Sequence, residues 1–574
     1  MITKNKLLLW AFICLACFLL APNLVYGLRE AHDIKFHLGL FLSFRDAVES
    51  GTLYPRWLPD QLHGLGSPAL MIYPPMAAAF FVVVDFLTLH ALAPERVLGL
   101  SAVLLSIASA FTFYVWARTC TGTRLALIAA LFYATGPYHL NIDLYSRSAM
   151  AEYTAFVWIP LIFLGIRTTT LAGNARGALL LAFSTGALFL THLLTAMLVA
   201  PLALAYALIC LRTELPAGVR VQRFMLVAVT AILGVGLAAF YFLPAVSLLP
   251  EANSEGLYRD VATTNIFFAL RALSDRFQLK LILTACAYLV FFLYLSAETW
   301  NNWRRQRAPG AALALALLWI VAGILSFALM SGLFPIVFQP PSPYAQIQFG
   351  WRLLVVMEFS LVSLFICSVA ATQHAASRAR LLKVGAIVLL VVGAGQSLDV
   401  VARFHNVAIL ANPLQDTEHV KWRLSSIEFY PVGTDTTQSV DLAIRPFQQY
   451  ATASQPAFIA SDKGRIVEAT RKGVRLTVHS IATELTPIMI QQFYFPGWKA
   501  VDEHGGEIAV FRDKASRLAS YVVPEGEHTV VIERLPTKQE RWGMMVSLVA
   551  LVLLALQVGF LIRRHKTSQA VTGA

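Results

Sequence analysis

Long apolar stretches separated by short polar segments dominate this chain up to about residue 400 and return after residue 542. A run of ~18 or more apolar residues can cross the hydrocarbon core of a bilayer as a helix. The pattern therefore predicts a polytopic α-helical membrane protein. The predicted spans are 7–25, 97–117, 124–141, 150–167, 177–192, 194–211, 224–249, 279–297, 310–331, 351–371, 382–400 and 543–562.

Residues 71–92 are also apolar enough to span, but we expect that they do not cross the membrane. Lys and Arg concentrate in the short loops between later spans, and such loops lie on the cytoplasmic side. An additional span here would invert every one of those loops. The segment also starts with a Tyr-Pro-Pro sequence, whose prolines lack an N–H group, and it carries Asp85 and His90. We predict a re-entrant or juxtamembrane helix, about twelve spans in total, and both termini in the cytoplasm.

This topology places the longer polar segments on one outer face. They are loops 28–75, 141–150, 250–278 and 332–350, the turn at His192, and the region 401–541. Loop 250–278 has an apolar side that suits a short amphipathic surface helix.

The hydrophobic period changes between about residues 417 and 537. Short segments rich in Val, Ile, Phe and Tyr alternate there with turns such as Pro496-Gly497 and Gly505-Gly506. Short strands at this spacing predict an antiparallel β-sandwich. The predicted strands are 465–469, 474–480, 488–494, 507–511, 519–523 and 529–533. We therefore divide the chain into a transmembrane domain (1–400), an outer, mostly β domain (401–541), and a final span with a basic tail (542–574).

Composition excludes a soluble protein and gives no support to nucleic-acid binding. Hydrophobic residues make up 57% of the chain and charged residues 14%, against roughly a quarter charged in soluble domains. The net charge of +12 comes largely from the loops between spans, so it reports topology. The six cysteines show no zinc-binding or redox spacing beyond a weak Cys14/Cys17 pair inside an apolar helix, and most buried free cysteines are simply packed as small hydrophobes.

The first outer loop, 28–75, is the strongest candidate site. It is the only long polar loop in the first half of the chain, and it holds Asp33 between His32 and His37. It continues through Tyr54, Arg56 and Trp57 to a Gly-rich turn. Asp33 has two interpretations: an acid in a site, or a helix N-cap, where Asp is favoured. Arg56-Trp57 has a second interpretation as an interfacial anchor.

Three other outer segments carry residues that could join this site. Arg147 and Glu152 flank the entrance of a span and form either part of a cavity or a structural ion pair, since charge in a membrane serves both purposes. His192 lies at a helix end, where it is either a functional group or a cap. Arg352 either binds phosphate or extends to the interface.

Several motifs resemble those of a known group of proteins. HDIKFH (32–37), SGTLYPRW (50–57), GLGSPALMIYPP (64–75) and LYSRSAMAEYTAFVWIPL (144–161) resemble bacterial membrane proteins labelled 6-pyruvoyl-tetrahydropterin synthase-related. FYFPGWK (493–499), followed by PEGEHTVVIE (524–533), resembles the outer-domain ending of YfhO-like proteins. Both groups resemble the GT-C glycosyltransferase superfamily. The zinc-ligating His cluster of soluble pterin synthases has no counterpart here.

The resemblance implies a function in the bacterial inner membrane. GT-C enzymes take a sugar from a polyprenyl-phosphate carrier on the outer, periplasmic face, with an acid in the first outer loop, which Asp33 matches. Asp33 would be the general base toward a glycan or lipid acceptor. Arg56, Arg147 and Arg352 are the candidates for the donor phosphate. His37 would orient Asp33 or contact phosphate, and Tyr54, Glu152 and His192 would help bind donor phosphate or sugar.

The sequence leaves open a metal requirement and two alternative functions. His32 stands where the family often has a second acid, so a requirement for a divalent metal is undecided and no metal ligands are predicted. A transporter or flippase would show broken helices and charges near the middle of the membrane, and the spans after 170 carry almost no charge at their centres. A non-catalytic envelope assembly factor would depend chiefly on its β domain.

Overall fold

The computed structural model describes residues 4–29, 31–253, 275–306, 310–347, 349–405, 429–432, 434, 447–452, 454–459 and 462–572. A helical bundle comes first, a β domain follows, and one long helix ends the chain. The surface helix expected within 250–278 falls mostly outside the described residues, as does much of the segment between residues 406 and 446.

The bundle consists of α-helices joined by short turns. Ten of the described helices are long and apolar enough to cross a membrane. The expectation of about twelve spans also counted α1 and α8, and α8 has 17 residues. The helices are α1 (Lys4–Tyr26), α2 (Ile34–Glu49), α3 (Ala69–Ile72), α4 (Met76–Leu87), α5 (Pro94–Ala117), α6 (Thr123–Ala134), α7 (Met150–Ala172), α8 (Ala175–Thr191), α9 (Leu193–Glu214), α10 (Ala217–Leu237), α11 (Ala239–Leu248), α12 (Arg276–Gln306), α13 (Ala311–Met330), α14 (Leu354–Ala371), α15 (Ala375–His405), α16 (Gln448–Ala451) and α17 (Lys538–Thr572).

Two predicted spans are interrupted. The predicted span 224–249 divides at Ala238 into α10 and α11, and the hydroxyl of Ser547 from α17 satisfies the break. This hydroxyl accepts a hydrogen bond from the Phe240 N–H at 2.8 Å and lies 3.0 Å from the Gly236 carbonyl. The predicted span 124–141 ends as an α-helix at Ala134, and a π-helix follows from Pro137 to Arg147.

Residues 71–92 do not form one long helix. A break at Tyr73 separates α3 from α4, and α4 has 12 residues. At 1.5 Å per residue such a helix is about 18 Å long, well short of a ~30 Å hydrocarbon core. The geometry agrees with a segment that does not cross. The preceding polar loop is itself partly helical, since α2 occupies 16 of its residues and buries Ile34, Leu38 and Phe41.

The β domain contains two antiparallel sheets that share one hydrophobic core. The first has the strand order β1-β4-β8-β7 and the second β2-β3-β9-β5-β6. This arrangement fits the predicted sandwich, but the prediction missed the short strands β1 and β5, and the predicted strand 507–511 is divided into β6 and β7, which belong to different sheets. The strands are β1 (Ala457–Ile459), β2 (Gly464–Lys472), β3 (Arg475–Ala482), β4 (Thr486–Phe493), β5 (Trp498–Val501), β6 (Glu507–Ile508), β7 (Phe511–Arg512), β8 (Leu518–Val523) and β9 (Gly526–Arg534).

The β domain and the first loop pack as one unit. Trp57, Leu62 and Leu65 belong to the same hydrophobic core as the two sheets. Trp57 is 4% exposed and its indole N–H donates to Gln492 Oε1 at 2.7 Å. The interpretation of Trp57 as an interfacial membrane anchor is therefore wrong, because protein surrounds its ring.

Candidate active site

Asp33 occupies the position before α2, yet its side chain does not cap that helix. It is the N-cap residue by position, with no hydrogen bond from its carboxylate to the helix backbone. The carboxylate instead faces Arg147, with Oδ2 3.5 Å from Nη2, and the Asp33 side chain is 39% exposed. Its backbone N–H donates to the Arg147 carbonyl at 2.7 Å. Asp33 is thus held in place while its carboxylate stays open to a ligand.

Arg147 ends the π-helix, and a sharp change of direction follows it. Ser148 adopts a left-handed conformation with φ of 53°, which costs a non-glycine residue roughly 1–2 kcal/mol. The turn sends the chain into α7, so that Glu152 comes back onto Arg147. The carboxylates of Asp143 and Glu152 lie 2.6 and 2.9 Å from Arg147 Nη1. Residues five apart do not face each other on one continuous helix. The change of direction at Ser148 is what brings Arg147 and Glu152 into contact.

Arg147 is therefore committed to neighbours within the protein. It contacts three carboxylates, those of Asp33, Asp143 and Glu152, and its guanidinium lies 4.6 Å from the centre of the Trp351 ring. Its side chain is 6% exposed. These contacts support the structural ion-pair interpretation of Arg147 and Glu152, in a cluster that adjoins Asp33.

Arg352 has far fewer partners. Its Nε lies 3.9 Å from Glu152 Oε2, and this buried nitrogen has no hydrogen-bond partner among the described residues. Its guanidinium carbon lies 5.6 Å from the Phe349 ring centre. An arginine in this state presents donors that suit an anion, so among Arg56, Arg147 and Arg352 it has the least compensated charge.

His37 supports the same region by capping α7. Its Nε2 accepts a hydrogen bond from the Met150 N–H at 3.2 Å, which is one of the first N–H groups of α7 and has no partner within that helix. Burial lowers the pKa of His37 to about 4, against an opposing effect of Asp33. The imidazole is therefore neutral near pH 7, and its Nε2 is occupied by the backbone; the expectation that His37 orients Asp33 or contacts phosphate stays a prediction.

His192 also caps a helix. Its Nδ1 accepts from the Thr195 N–H of α9 at 3.3 Å and lies 2.7 Å from the Thr195 hydroxyl. Burial lowers the pKa of His192 to about 3, and the negative charge of Glu152 opposes this shift. These contacts support the interpretation of His192 as a helix cap. Its ring also interacts electrostatically with residues of the Arg147 cluster.

Tyr54 and Arg56 have partners elsewhere in the fold. Arg56 Nη1 lies 3.2 Å from Glu540 at the start of α17, and Nη2 donates to the Phe240 carbonyl at 2.9 Å. The Tyr54 hydroxyl donates to the Leu70 carbonyl at 2.8 Å, and its ring packs 4.8 Å from the Arg56 guanidinium. The expectation that both join the Asp33 site finds no support in these contacts.

Several neighbours of the Arg147 cluster were not predicted from the sequence. The Tyr138 hydroxyl donates to Glu152 at 2.6 Å, and Trp351 packs on Arg147. Glu358, fully buried in α14, holds the start of the π-helix. A signal for Glu358 was present, because an ionisable residue inside an apolar span indicates a functional or structural site.

The described residues contain no group of three or more His, Cys, Asp or Glu side chains arranged to hold a metal ion.

Comparison with known proteins gives limited information. No protein-family model matches the chain. An uncharacterized protein of Lactococcus lactis subsp. cremoris is 23% identical over 239 residues. The aligned region covers 40% of this chain and 37% of that relative, so the chain matches well under half of the relative's length. The relative's printed name assigns no activity.

Proposed function

We propose that this chain is a GT-C-type membrane glycosyltransferase that moves a sugar from a polyprenyl-phosphate donor to a glycan or lipid acceptor. The observation that carries the proposal is the state of Asp33. Its carboxylate is partly exposed, tethered through its backbone, and set beside a buried arginine cluster. A positioned, accessible carboxylate suits a general base.

The proposed reaction is a single displacement. Asp33 takes the proton from an acceptor hydroxyl, and that oxygen forms a bond to the anomeric carbon of the sugar. The bond between that carbon and the phosphate oxygen breaks, and the lipid phosphate leaves with the electron pair. Configuration inverts, and no covalent enzyme intermediate forms.

Arg352 is the residue we assign to the leaving phosphate. A fixed cation stabilises the charge that develops there. Arg147 is less suited to this role because three carboxylates already neutralise it. Its role in the proposal is to orient Asp33.

The proposed setting is a bacterial inner membrane with about twelve spans and with the site and β domain on the periplasmic side. Basic residues in the loops at the other ends of the spans support this orientation. The first loop and the β domain lie together, since Asp60 Oδ1 is 2.5 Å from Arg471 Nη2.

The test compares Asp33→Asn with Asp46→Asn in protein of matched expression. Asp46 lies on the same helix, α2, and its side chain is 30% exposed. We expect Asp33→Asn to lower the rate of sugar transfer by about 100-fold or more, the usual contribution of a general base, while Asp46→Asn transfers normally. Full transfer by Asp33→Asn would refute the assignment.

A transporter is the second candidate, and the interrupted helices favour it. The predicted span 224–249 breaks at Ala238, and the predicted span 124–141 passes into a π-helix at Pro137; transporters often form their sites at such breaks. A transporter would move a labelled lipid-linked sugar across the membrane of proteoliposomes without transferring the sugar to an acceptor. Translocation with no product would favour this function over the transferase.

A further inference from the structure

Glu358 is a fully buried acid in α14, a helix with no other charged residue. One of its carboxylate oxygens, Oε2, accepts hydrogen bonds from the Tyr138 N–H at 3.0 Å and from the His139 N–H at 3.4 Å. The Tyr288 hydroxyl donates to the same oxygen. An acid without a cationic partner is costly at such a site, so the hydrogen bonds must account for its presence.

The two backbone donors belong to the first turn of the π-helix 137–147. The first N–H groups of a helix lack partners inside it and form the positive end of its dipole. Pro137, at the first position, has no N–H to satisfy. The Glu358 carboxylate therefore serves as an external cap, supplied from a helix that lies 219 residues further along the chain.

The Glu358 carboxyl group lies very close to the backbone at Gly136. A Cβ atom at this position would lie 2.4 Å from the carboxyl carbon of Glu358. A side chain larger than hydrogen at this position would require the Glu358 carboxyl group to move away from the start of the π-helix. A second anchor of the same turn is His139, whose ring stacks on Phe156 with centres 3.8 Å apart.

The last turn of this π-helix carries the residues that face Asp33. Asp143 and Arg147 lie one turn apart on it, and Arg147 contacts Asp33 through its side chain and its carbonyl. A shift at the start of a short, closely packed helix moves its end as well, because packed interiors transmit strain. Glu358 itself has no contact with Asp33 or Arg147 among the described interactions.

We propose that Glu358 is a positioning residue of the active site: its carboxylate clamps the start of the π-helix and so sets where Arg147 holds Asp33. The catalytic consequence rests on the proposed transferase function. The clamp itself does not, and it can be measured without any substrate.

The experiment is hydrogen–deuterium exchange of the purified full-length protein, paired with kinetics of sugar transfer. In Glu358→Ala we expect amide exchange over residues 137–147 to accelerate by about 10- to 100-fold, because the His139 N–H loses its acceptor and the Tyr138 N–H keeps only the Tyr288 hydroxyl at 3.1 Å. We expect kcat to fall with little change in the KM for donor. Glu298→Ala is the matched control. Glu298 lies near the C-terminal end of α12 and pairs with Arg380 at 2.9 Å. Its substitution should leave amide exchange in residues 137–147 unchanged.

Glu358→Gln separates a clamp from a reacting group and protects against a misfolded alanine variant. Its amide oxygen still accepts from both N–H groups, so exchange and kcat should stay close to those of the unmodified protein. Gly136→Ala, which displaces the carboxylate, should reproduce the alanine phenotype.

Three results would overturn the proposal. They are unchanged exchange in both Glu358→Ala and Gly136→Ala, accelerated exchange with full transfer, and loss of transfer in Glu358→Gln with normal exchange. Should the unmodified protein transfer no sugar, the proposed function fails, while the exchange data still decide whether Glu358 holds the helix.

Discussion

Asp33 and Arg147 are joined twice, once by a backbone hydrogen bond of 2.7 Å and once by a side-chain ion pair of 3.5 Å. The two residues come from different elements, the start of α2 and the end of the π-helix. The backbone bond fixes the distance between these elements, while the longer ion pair leaves the carboxylate of Asp33 partly open. Arg147 thus links the accessible acid to the buried pair Asp143 and Glu152.

Removal of the Arg147 charge should destabilise the fold strongly. Arg147→Met would leave the Asp143 carboxylate buried without its cation and would leave Glu152 with only the 3.9 Å contact to Arg352, and breaking a buried pair in this way costs about 3–5 kcal/mol. We expect a large fall in the melting temperature of the purified protein, measured by intrinsic fluorescence. Arg147→Lys keeps the charge but loses the planar fork of the guanidinium. Its melting temperature should lie between those of Arg147→Met and the unmodified protein.

Arg380→Met is the control for that series. Arg380 pairs with Glu298 at 2.9 Å; the Glu298 side chain is 11% exposed, but that of Arg380 is 56% exposed, so solvent screens the guanidinium end of this pair. Its melting temperature should stay near that of the unmodified protein. An equal loss in both variants would mean that the Arg147 cluster contributes no more than a surface ion pair.

His37 should make stability depend on pH in a defined window. Burial lowers its pKa from 6.5 to about 4 in the folded state, so the unfolded chain binds the proton more readily. The stabilisation is therefore complete above pH 6.5 and is lost as the pH falls toward 4. A shift of this size corresponds to ~3 kcal/mol.

The variant His37→Gln isolates this contribution. Its side-chain oxygen can still accept from the Met150 N–H, yet it does not titrate. We expect the difference in stability between the unmodified protein and His37→Gln to change between pH 7 and pH 4, measured by chemical denaturation. His504→Gln, at a side chain that is 85% exposed, should show no such change. A pH-independent difference for His37→Gln would contradict the buried neutral imidazole.

Hydrophobic periodicity predicted the bundle and most of the β domain, because both patterns depend on neighbours along the chain. It did not predict the π-helix Pro137–Arg147, whose residues fall partly in the predicted span 124–141 and mostly in the predicted outer loop 141–150. The short strands β1 and β5, with three and four residues, carry too little pattern to be recognised.

The residues of the candidate site differ in the same way: local motifs could be recognised in the sequence, whereas long-range partners could not. The acid of the first loop and the Arg147–Glu152 pair were recognised from local motifs, and the structure brings Asp33, Arg147 and Glu152 together. Arg56 was assigned to the same site, but its partner Glu540 lies 484 residues away in sequence. The partners of Glu358 are backbone N–H groups, which leave no trace in residue identity. Long-range pairings of this kind need a three-dimensional structure.

Gln492 should control the order of the first loop. It is 0% exposed, accepts from the Trp57 indole, and donates to the Gly64 carbonyl at 2.7 Å and the Pro59 carbonyl at 3.1 Å. In Gln492→Leu the buried Trp57 indole and Gly64 carbonyl lose their partner at about 1–3 kcal/mol each, while the Pro59 carbonyl keeps the hydrogen bond from Arg471 Nη1 at 3.1 Å. We expect faster amide exchange and faster proteolysis within residues 58–67.

Gln491→Leu is the matched control for Gln492→Leu. The neighbouring Gln491 points to other partners and donates to the Tyr450 carbonyl at 2.9 Å. Its substitution should leave residues 58–67 protected. Equal exposure of this segment in both variants would show that general loosening of β4, and not the Gln492 contacts, orders the loop.

Glu540 joins the first loop, the β domain and the final helix. Its side chain is 1% exposed and lies 3.2 Å from Arg56 and 2.9 Å from Arg534. It also accepts from the Thr537 N–H at 2.8 Å, while its own N–H donates to the Thr537 hydroxyl at 3.2 Å, which is the reciprocal capping box of a helix start. Glu540→Ala would leave two buried cations unpaired, so we expect a loss of about 3–5 kcal/mol.

Arg56→Met tests whether Arg56 belongs to this cluster or to the donor site. Glu540 would keep Arg534 as its partner, so the loss of stability should be smaller than in Glu540→Ala, and the KM for donor should stay unchanged. Arg352→Met should instead raise the KM for donor or lower kcat by about 10-fold or more, as for the loss of a charge-assisted contact, with a small change in melting temperature. A raised KM in Arg56→Met at normal stability would return Arg56 to the donor site and contradict its role as a link between the first loop and α17.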